Sequence, residues 1–243
     1  MKPEYSVIIP ARNEEETIAP AIGALRKTLK GNYEIIVVND SSADNTAGIV
    51  ARLEGARRSI RLVHSEKRGF ANALLRGIAA SRSQAVVPVM ADLCDRPEDV
   101  NLMFGKMAEG YGIVCASRYM KGGRRIGGSR AKAFFSWFVG LLFNRLIGVP
   151  TADSTNSFKM YRKDVLRKVL PKLLKGGSFS FSLEVTMLAY FSGFRITELP
   201  TVWRERSEGV SKFNVPNMAP EYFSVFLDAL KRKLQVLAGG REA

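Results

Sequence analysis

Short apolar runs and amphipathic stretches alternate through the first half of the chain. YSVIIP (5–10) and EIIVVND (34–40) are apolar on both faces, as strands buried inside a parallel sheet are. RLVH (61–64), AVVPVM (85–90) and GIVCASR (112–118) repeat that pattern. Between them NEEETIAPAIGALRKTL (13–29), the stretch SSADNTAGIVARLEGA, RGFANALLRGIAAS (68–81) and DRPEDVNLMFGKM read as helices. This alternation predicts βαβ units, hence an α/β fold around a mostly parallel central sheet. After Arg118 it breaks. A Gly/Arg loop (121–130) precedes an aromatic helix, TNSFKMYRKDVL reads as a short strand and then a helix, and SFSLEVTMLAYFSGF as another helix. RITELPTVWRERSEGVSKF reads as an edge-like strand entering a basic loop, and EYFSVFLDALKRKLQVLA (221–238) as an amphipathic helix with a basic end. The chain therefore divides into 1–118, 119–215 and a C-terminal helix at 216–243, the first two being halves of one domain.

Composition narrows the partners. The 243 residues are 46% hydrophobic and 25% charged, enough to bury one α/β-sized core. Lysine and arginine number 37 against 23 acids, a net charge of +14. Such a balance points to a polyanion: nucleic acid, an anionic membrane surface or a phosphorylated substrate. The densest basic block is KGGRRIGGSRAK (121–132). AFFSWFVGLLFNRLIGV (133–149) follows it, falls short of the roughly 18 uncharged apolar residues of a spanning helix, and is broken by Asn144 and Arg145. It is either an interfacial helix or a core helix. Cys94 and Cys115 form neither a disulfide framework nor a metal knuckle and read as buried thiols. MKPEYSVIIPARNEEE turns acidic too early for a secretory signal, so a cytoplasmic location is expected.

Ligands of an open parallel sheet bind beyond the carboxyl ends of its strands. Polar residues collect there: Arg12-Asn13-Glu14, Asn39-Asp40-Ser41-Ser42, His64, Asp92 with Asp95, and Ser117-Arg118. Acids at three strand ends suit a polar ligand held with a divalent cation. In VMADLCD, Met90 stands where a pair of metal-binding acids would place its first member. Three readings stay open: Asp95 supplies the second carboxylate, Asp95 caps the helix beginning RPED, or the metal site is lost. Neither G-x-G-x-x-G nor G-x-x-x-x-G-K-[ST] occurs, which argues against dinucleotide oxidoreductases and P-loop NTPases. The lone His64 has no nucleophile in an elbow motif, so it reads as structural and a hydrolase triad is not expected.

The ordered motifs SVIIPARNEEETI, EIIVVNDSSADNT, RGFANALLRGI, MADLCDRPED, ASRY, TNSFKMYR, FSFSLEVTMLA and WRERSEGVSKF resemble family 2 glycosyltransferases. The likeness spans residue 5 to about 213 and is closest to the dolichol- or polyprenyl-phosphate hexose synthase branch. It implies a GT-A fold, with 1–118 as the nucleotide-sugar-binding half and 119–215 as an acceptor-side α+β extension. It further implies a nucleotide-sugar donor, Mg²⁺ or Mn²⁺, and inversion at the anomeric carbon. By the same resemblance Pro10, Arg12, Glu14, Val38, Asp40 and Ala91 surround the nucleotide, and Asp92 is the last acid of the DxD metal motif, with Asp95 as its partner ligand. Arg12 replaces an aromatic residue frequent in the family, although an arginine plane can also stack on a base. Met90 replaces the first acid, and Cys94 stands at another ligand position of some members.

The resemblance also implies roles on the acceptor side. Arg118, Lys132 and Ser136 would grip an acceptor phosphate, and Arg206 and Lys212 would close over the donor diphosphate and stabilise the leaving group. Glu184 stands where members that use hydroxyl acceptors hold a base; with a phosphate acceptor it would instead orient sugar hydroxyls or pair with a basic neighbour. The leading expectation is hexose transfer to a polyprenyl phosphate at the cytosolic membrane face, from GDP-mannose first and a UDP-sugar second. A soluble hydroxyl acceptor and a non-catalytic nucleotide-sugar-binding protein are the alternatives. No nucleic-acid motif supports a nucleic-acid partner.

Overall fold

The computed structural model describes residues 2–56, 59–174, 180–205 and 215–239. Its first half alternates strand and helix: β1 (Tyr5–Ala11), α1 (Ile18–Thr28), β2 (Tyr33–Asn39), α2 (Thr46–Ala56), β3 (Ile60–His64), α3 (Phe70–Ala80), β4 (Ala85–Pro88), α4 (Asp99–Ala108) and β5 (Ile113–Ser117). The second half adds β6 (Arg124–Ile126), α5 (Arg130–Leu142), β7 (Lys159–Arg162), α6 (Lys163–Val169), α7 (Phe181–Phe191), β8 (Ile196–Pro200), β9 (Val202–Arg204) and α8 (Val215–Leu237).

Seven strands make one sheet in the order β3-β2-β1-β4-β7-β5-β8, while β6 and β9 pair apart from it. All neighbours in the large sheet are parallel except β7, which runs antiparallel between β4 and β5. Apolar side chains alternate across β1: Val7 and Ile9 join the core under α1 and α4, and Ile8 joins the one under α3. From β1 the chain winds outward to β2 and β3, then returns to place β4 on the other side of β1. That reversal opens a crevice at the carboxyl ends of β1 and β4, the usual ligand position in such sheets.

One boundary differs from the sequence pattern for a clear reason. The stretch 13–29 reads as helix throughout, yet α1 starts only at Ile18. The N–H groups of Asn13, Glu14 and Glu15 donate to Ser42 Oγ, Thr46 Oγ1 and Asp44 Oδ2, in the loop after β2 and the first residue of α2. Asn13 Oδ1 and Glu15 Oε2 accept in return from the N–H groups of Ala43 and Asn45. The two loops are stitched together, and Asn13 sits in the left-handed region at φ 54°. Side-chain acceptors have displaced the first helical turn.

α3 lies close on the sheet at Gly77. A Cβ there would fall 2.4 Å from Ile8 Cγ2 and 3.1 Å from Val38 Cγ2. Both methyls sit on β-branched residues of packed strands and have little room to retreat. Gly77→Ala is therefore expected to destabilise the protein by about 1–2 kcal/mol, overpacking outweighing the gain in helix propensity. A urea melt showing equal or greater stability would contradict that packing.

Candidate active-site cleft

A cleft of about 780 Å³ opens over the carboxyl ends of β1, β2, β4 and β5. Pro10 lines it from the end of β1, Arg12 and Glu14 from the loop that follows, Asp40 from the end of β2, and Ala91, Asp92, Cys94 and Asp95 from the segment after β4. Arg118 enters after β5, Lys132, Phe135 and Ser136 from α5, and Tyr222 from α8. Asp40 accepts two hydrogen bonds from the N–H of Gly69, at 2.9 and 3.1 Å, tying the start of α3 to the end of β2.

The VMADLCD stretch is a turn. Leu93 occupies the left-handed region at φ 49°, its N–H donates to Met90 O at 3.2 Å, and the Cys94 N–H donates to Asp92 Oδ1 at 3.2 Å. A leucine held there is strained, and strain of this kind collects at functional sites. The turn brings Asp92 and Asp95 onto the cleft wall, with Met90 beside them. Asp95 does not cap α4: that helix is preceded by Glu98, which makes no side-chain cap hydrogen bond. Instead the Asp95 carboxyl is buried and its Oδ1 has no hydrogen-bond partner. Burial pushes it up to about 7, against the pull of the Arg118 guanidinium and with the help of Asp92.

Among the described residues no group of three or more His, Cys, Asp or Glu side chains is arranged to hold a metal. Two neighbouring carboxylates are nevertheless what Mg²⁺ or Mn²⁺ uses when substrate phosphates and waters supply the other ligands. The orphaned Asp95 oxygen fits that donor set. Cys94 and Cys115 are buried free thiols.

Arg118 is engaged differently from the expectation that it grips an acceptor phosphate. Its Nε and Nη2 donate to the two oxygens of Asp153 at 2.7 and 2.8 Å, and its N–H donates to Asp153 Oδ2 at 3.0 Å. Nη2 also reaches Ser136 Oγ at 2.9 Å. Burial works against both charges and the pairing outweighs it: Arg118 is raised above the ordinary guanidinium range and Asp153 is held below the ordinary carboxylate range. Ser136 is buried and shares its hydroxyl with Thr155 at 2.5 Å. Behind this pair lies Lys159, fully buried, its Nζ donating to Ser154 O at 2.7 Å and Thr186 Oγ1 at 2.8 Å. That ammonium anchors the 153–157 loop to α7.

Two residues expected at the site stand outside the cleft. Val38 is fully buried beneath Gly77 and belongs to the core. Glu184, on the first turn of α7, is buried and its Oε1 accepts from the Leu174 N–H. His64 is exposed beside Asn39, 3.3 Å from its amide. Arg206 and Lys212 lie outside the described residues. Asp153, Arg125 and Trp203 were not singled out from the sequence, although the last two line the cleft. The acid before STNSF was the available signal for Asp153; Arg125 lay within the basic block 121–132 and Trp203 at the head of WRERSEGVSKF, neither marked individually.

Residues 6–170 match the family model for glycosyl transferase family 2. The polyprenol monophosphomannose synthase of Mycolicibacterium smegmatis is 29% identical over 231 residues, covering 90% of this chain and 84% of that protein. The undecaprenyl-phosphate 4-deoxy-4-formamido-L-arabinose transferase of Shewanella sediminis is 26% identical, over 97% of this chain and 70% of its own length. Among solved structures, glucosyl-3-phosphoglycerate synthase from Mycobacterium tuberculosis, in complex with Mn²⁺, UDP and phosphoglyceric acid, aligns with a TM-score of 0.65 at 20% identity, covering 95% of this chain and 78% of that one. This last likeness identifies the fold as GT-A. With the matched region spanning β1 through α6 and carrying Asp40, Asp92, Asp95 and Arg118, the chain belongs to glycosyl transferase family 2 and is a glycosyltransferase.

Proposed function

We propose that this chain transfers a hexose from a nucleotide sugar to a polyprenyl phosphate, with inversion, while resting on an anionic membrane surface at its cytosolic face. The observation that carries the reading is α5. One side of this helix lines the cleft with Lys132, Phe135 and Ser136, and its outer side exposes Phe134, Trp137 and Phe138. A phosphate headgroup can sit in the cleft while its chain stays in the bilayer. Alongside α5, α8 exposes Phe223, Leu227, Leu230 and Leu234, with Lys231 and Lys233 on the same helix, the composition of an interfacial helix. No helix among the described residues is long and apolar enough to cross a membrane. The two curated relatives are named for polyprenol and undecaprenyl-phosphate substrates, which agrees.

The chemistry asks little of a base. A phosphate oxygen is already anionic; it bonds to the anomeric carbon as the bond from that carbon to the donor diphosphate breaks, and the nucleoside diphosphate departs. What the protein supplies is position and charge. Asp40, Arg12 and Glu14 line the nucleotide end, and Ala91 leaves room for close approach. Asp92 and Asp95 would hold the Mg²⁺ or Mn²⁺, which when bound neutralises the donor diphosphate. Lys132 offsets the repulsion between the two phosphates, and Arg206 and Lys212 are assigned to the leaving group. A hydroxyl acceptor would need a base, and the burial of Glu184 outside the cleft weighs against that alternative.

GDP-mannose is the first donor proposed and a UDP-hexose the second. The test is incubation with labelled GDP-mannose or UDP-hexoses, Mn²⁺ or Mg²⁺, and polyprenyl phosphate in anionic vesicles, counting label in the organic phase. Transfer to the phosphate and not to polyprenol is expected, and chelation by EDTA should stop it. Labelling of a soluble hydroxyl acceptor with none in the lipid would overturn the proposal.

A further inference from the structure

The commitment of Arg118 to Asp153 leaves open which cation in the cleft receives the acceptor phosphate. Two three-residue strands suggest the answer. β6 and β9 pair in parallel with Arg125 opposite Trp203, and both side chains line the cleft. The Arg125 guanidinium carbon lies 4.7 Å from the centre of the Trp203 ring, a cation–π stack. Gly128 completes the cradle at φ 82°: a Cβ there would fall 2.2 Å from Arg125 Nη2 and 3.2 Å from the Trp203 ring. The plane of the guanidinium is thus fixed from both strands and from the loop.

Its edge is not spoken for. Arg125 takes part in none of the ion pairs among the described residues, and its buried Nε has no hydrogen-bond partner. A buried donor left unmatched is costly. An arginine that served only as packing would satisfy it locally, as Arg118 does. A stacked guanidinium with its donor edge unfilled is a receptor for a tetrahedral oxyanion. Arg125 also stands just before α5, whose Lys132 and Ser136 line the same wall.

We propose that Arg125, held flat by Trp203 and Gly128, binds the phosphate monoester headgroup of the acceptor in the place expected of Arg118. The assignment rests on the polyprenyl-phosphate reading. The shared chemistry, a phosphate group, could also come from the donor diphosphate, so the experiment separates the two.

The chain has two tryptophans, so Trp137→Phe leaves Trp203 as the sole tryptophan reporter. In that background, geranyl phosphate, geraniol and GDP are titrated against tryptophan emission. The phosphate should bind and shift the emission, and the alcohol should not. Arg125→Gln should weaken geranyl phosphate binding about tenfold to a hundredfold, with GDP affinity unchanged, and Arg125→Lys should restore only part of the loss. Gly128→Ala, which displaces the guanidinium without removing it, should weaken the same ligand. Weakened GDP binding with geranyl phosphate unaffected would keep the phosphate receptor and reassign it to the donor. Both affinities within twofold of the parent, in a variant that melts normally, would overturn the proposal. A parent protein that binds geranyl phosphate through Arg125 but transfers no sugar would refute the proposed activity alone.

Discussion

Asp95→Asn is expected to cut sugar transfer sharply and, in the same molecule, to raise the melting temperature of the protein in EDTA at pH 8. Asparagine keeps the shape of the side chain but removes a charge buried without a hydrogen bond to one of its oxygens. The sign follows from the raised carboxyl. Below about pH 4 the group is protonated in both folded and unfolded chains, so the substitution changes little. As pH climbs towards 7 the unfolded chain gives up its proton while the folded one retains it, and the wild type steadily loses stability. At pH 8 the wild type therefore carries a penalty that the variant escapes, on the order of 1–4 kcal/mol. Transfer should fall about a hundredfold or more, the scale of losing one preorganised electrostatic group. Thermal melts at pH 5 and pH 8, beside the transfer assay, decide the matter. A variant that keeps cation-dependent transfer would remove Asp95 from the cation site; one that melts lower at pH 8 would show that its charge is compensated in the fold.

Arg118→Ala carries the largest expected cost in stability. It strips the guanidinium from Asp153, whose side chain is 0% exposed and accepts two hydrogen bonds from that group, leaving only the one from the Arg118 main-chain N–H. Breaking one half of a buried pair costs about 3–5 kcal/mol, much of the total stability of an ordinary domain. The Ser136 and Thr155 hydroxyls lose a donor as well, so the cleft wall formed by α5 and the 153–157 loop should loosen. Arg118→Met with Asp153→Leu removes both charges together and should recover most of the loss in a urea melt, while leaving transfer impaired. If the single and double variants melt alike, the pair is not what holds that wall.

Much of the fold was legible because its signals are local. Runs such as SVIIP and EIIVV, between amphipathic stretches, specify strands and helices whatever their neighbours. What stayed hidden depends on contacts between distant segments. The late start of α1 comes from acceptors in the loop after β2, and the antiparallel setting of β7 follows from strand order, of which KMYR carries no mark. The site divides in the same way. Asp92 and Asp95 announce themselves as acids after a strand. Arg118 does too, but the carboxylate that pairs with its guanidinium lies 35 residues further on. Val38 and Glu184 were expected at the site by resemblance alone, while Val38 is packed under Gly77 of α3 and Glu184 accepts from the Leu174 N–H. Arg125 and Trp203 acquire meaning only when two very short strands meet.

The antiparallel β7 also bears on how the chain is made. β4 and β5 follow one another in sequence yet are separated in the sheet by β7, which comes later in the chain than either. During synthesis the first five strands emerge before the one that joins them, so for that interval two strand edges stand open. Open edges invite pairing with other chains. A fragment ending at residue 118 should therefore aggregate, and productive folding must wait until Lys159–Arg162 has left the ribosome.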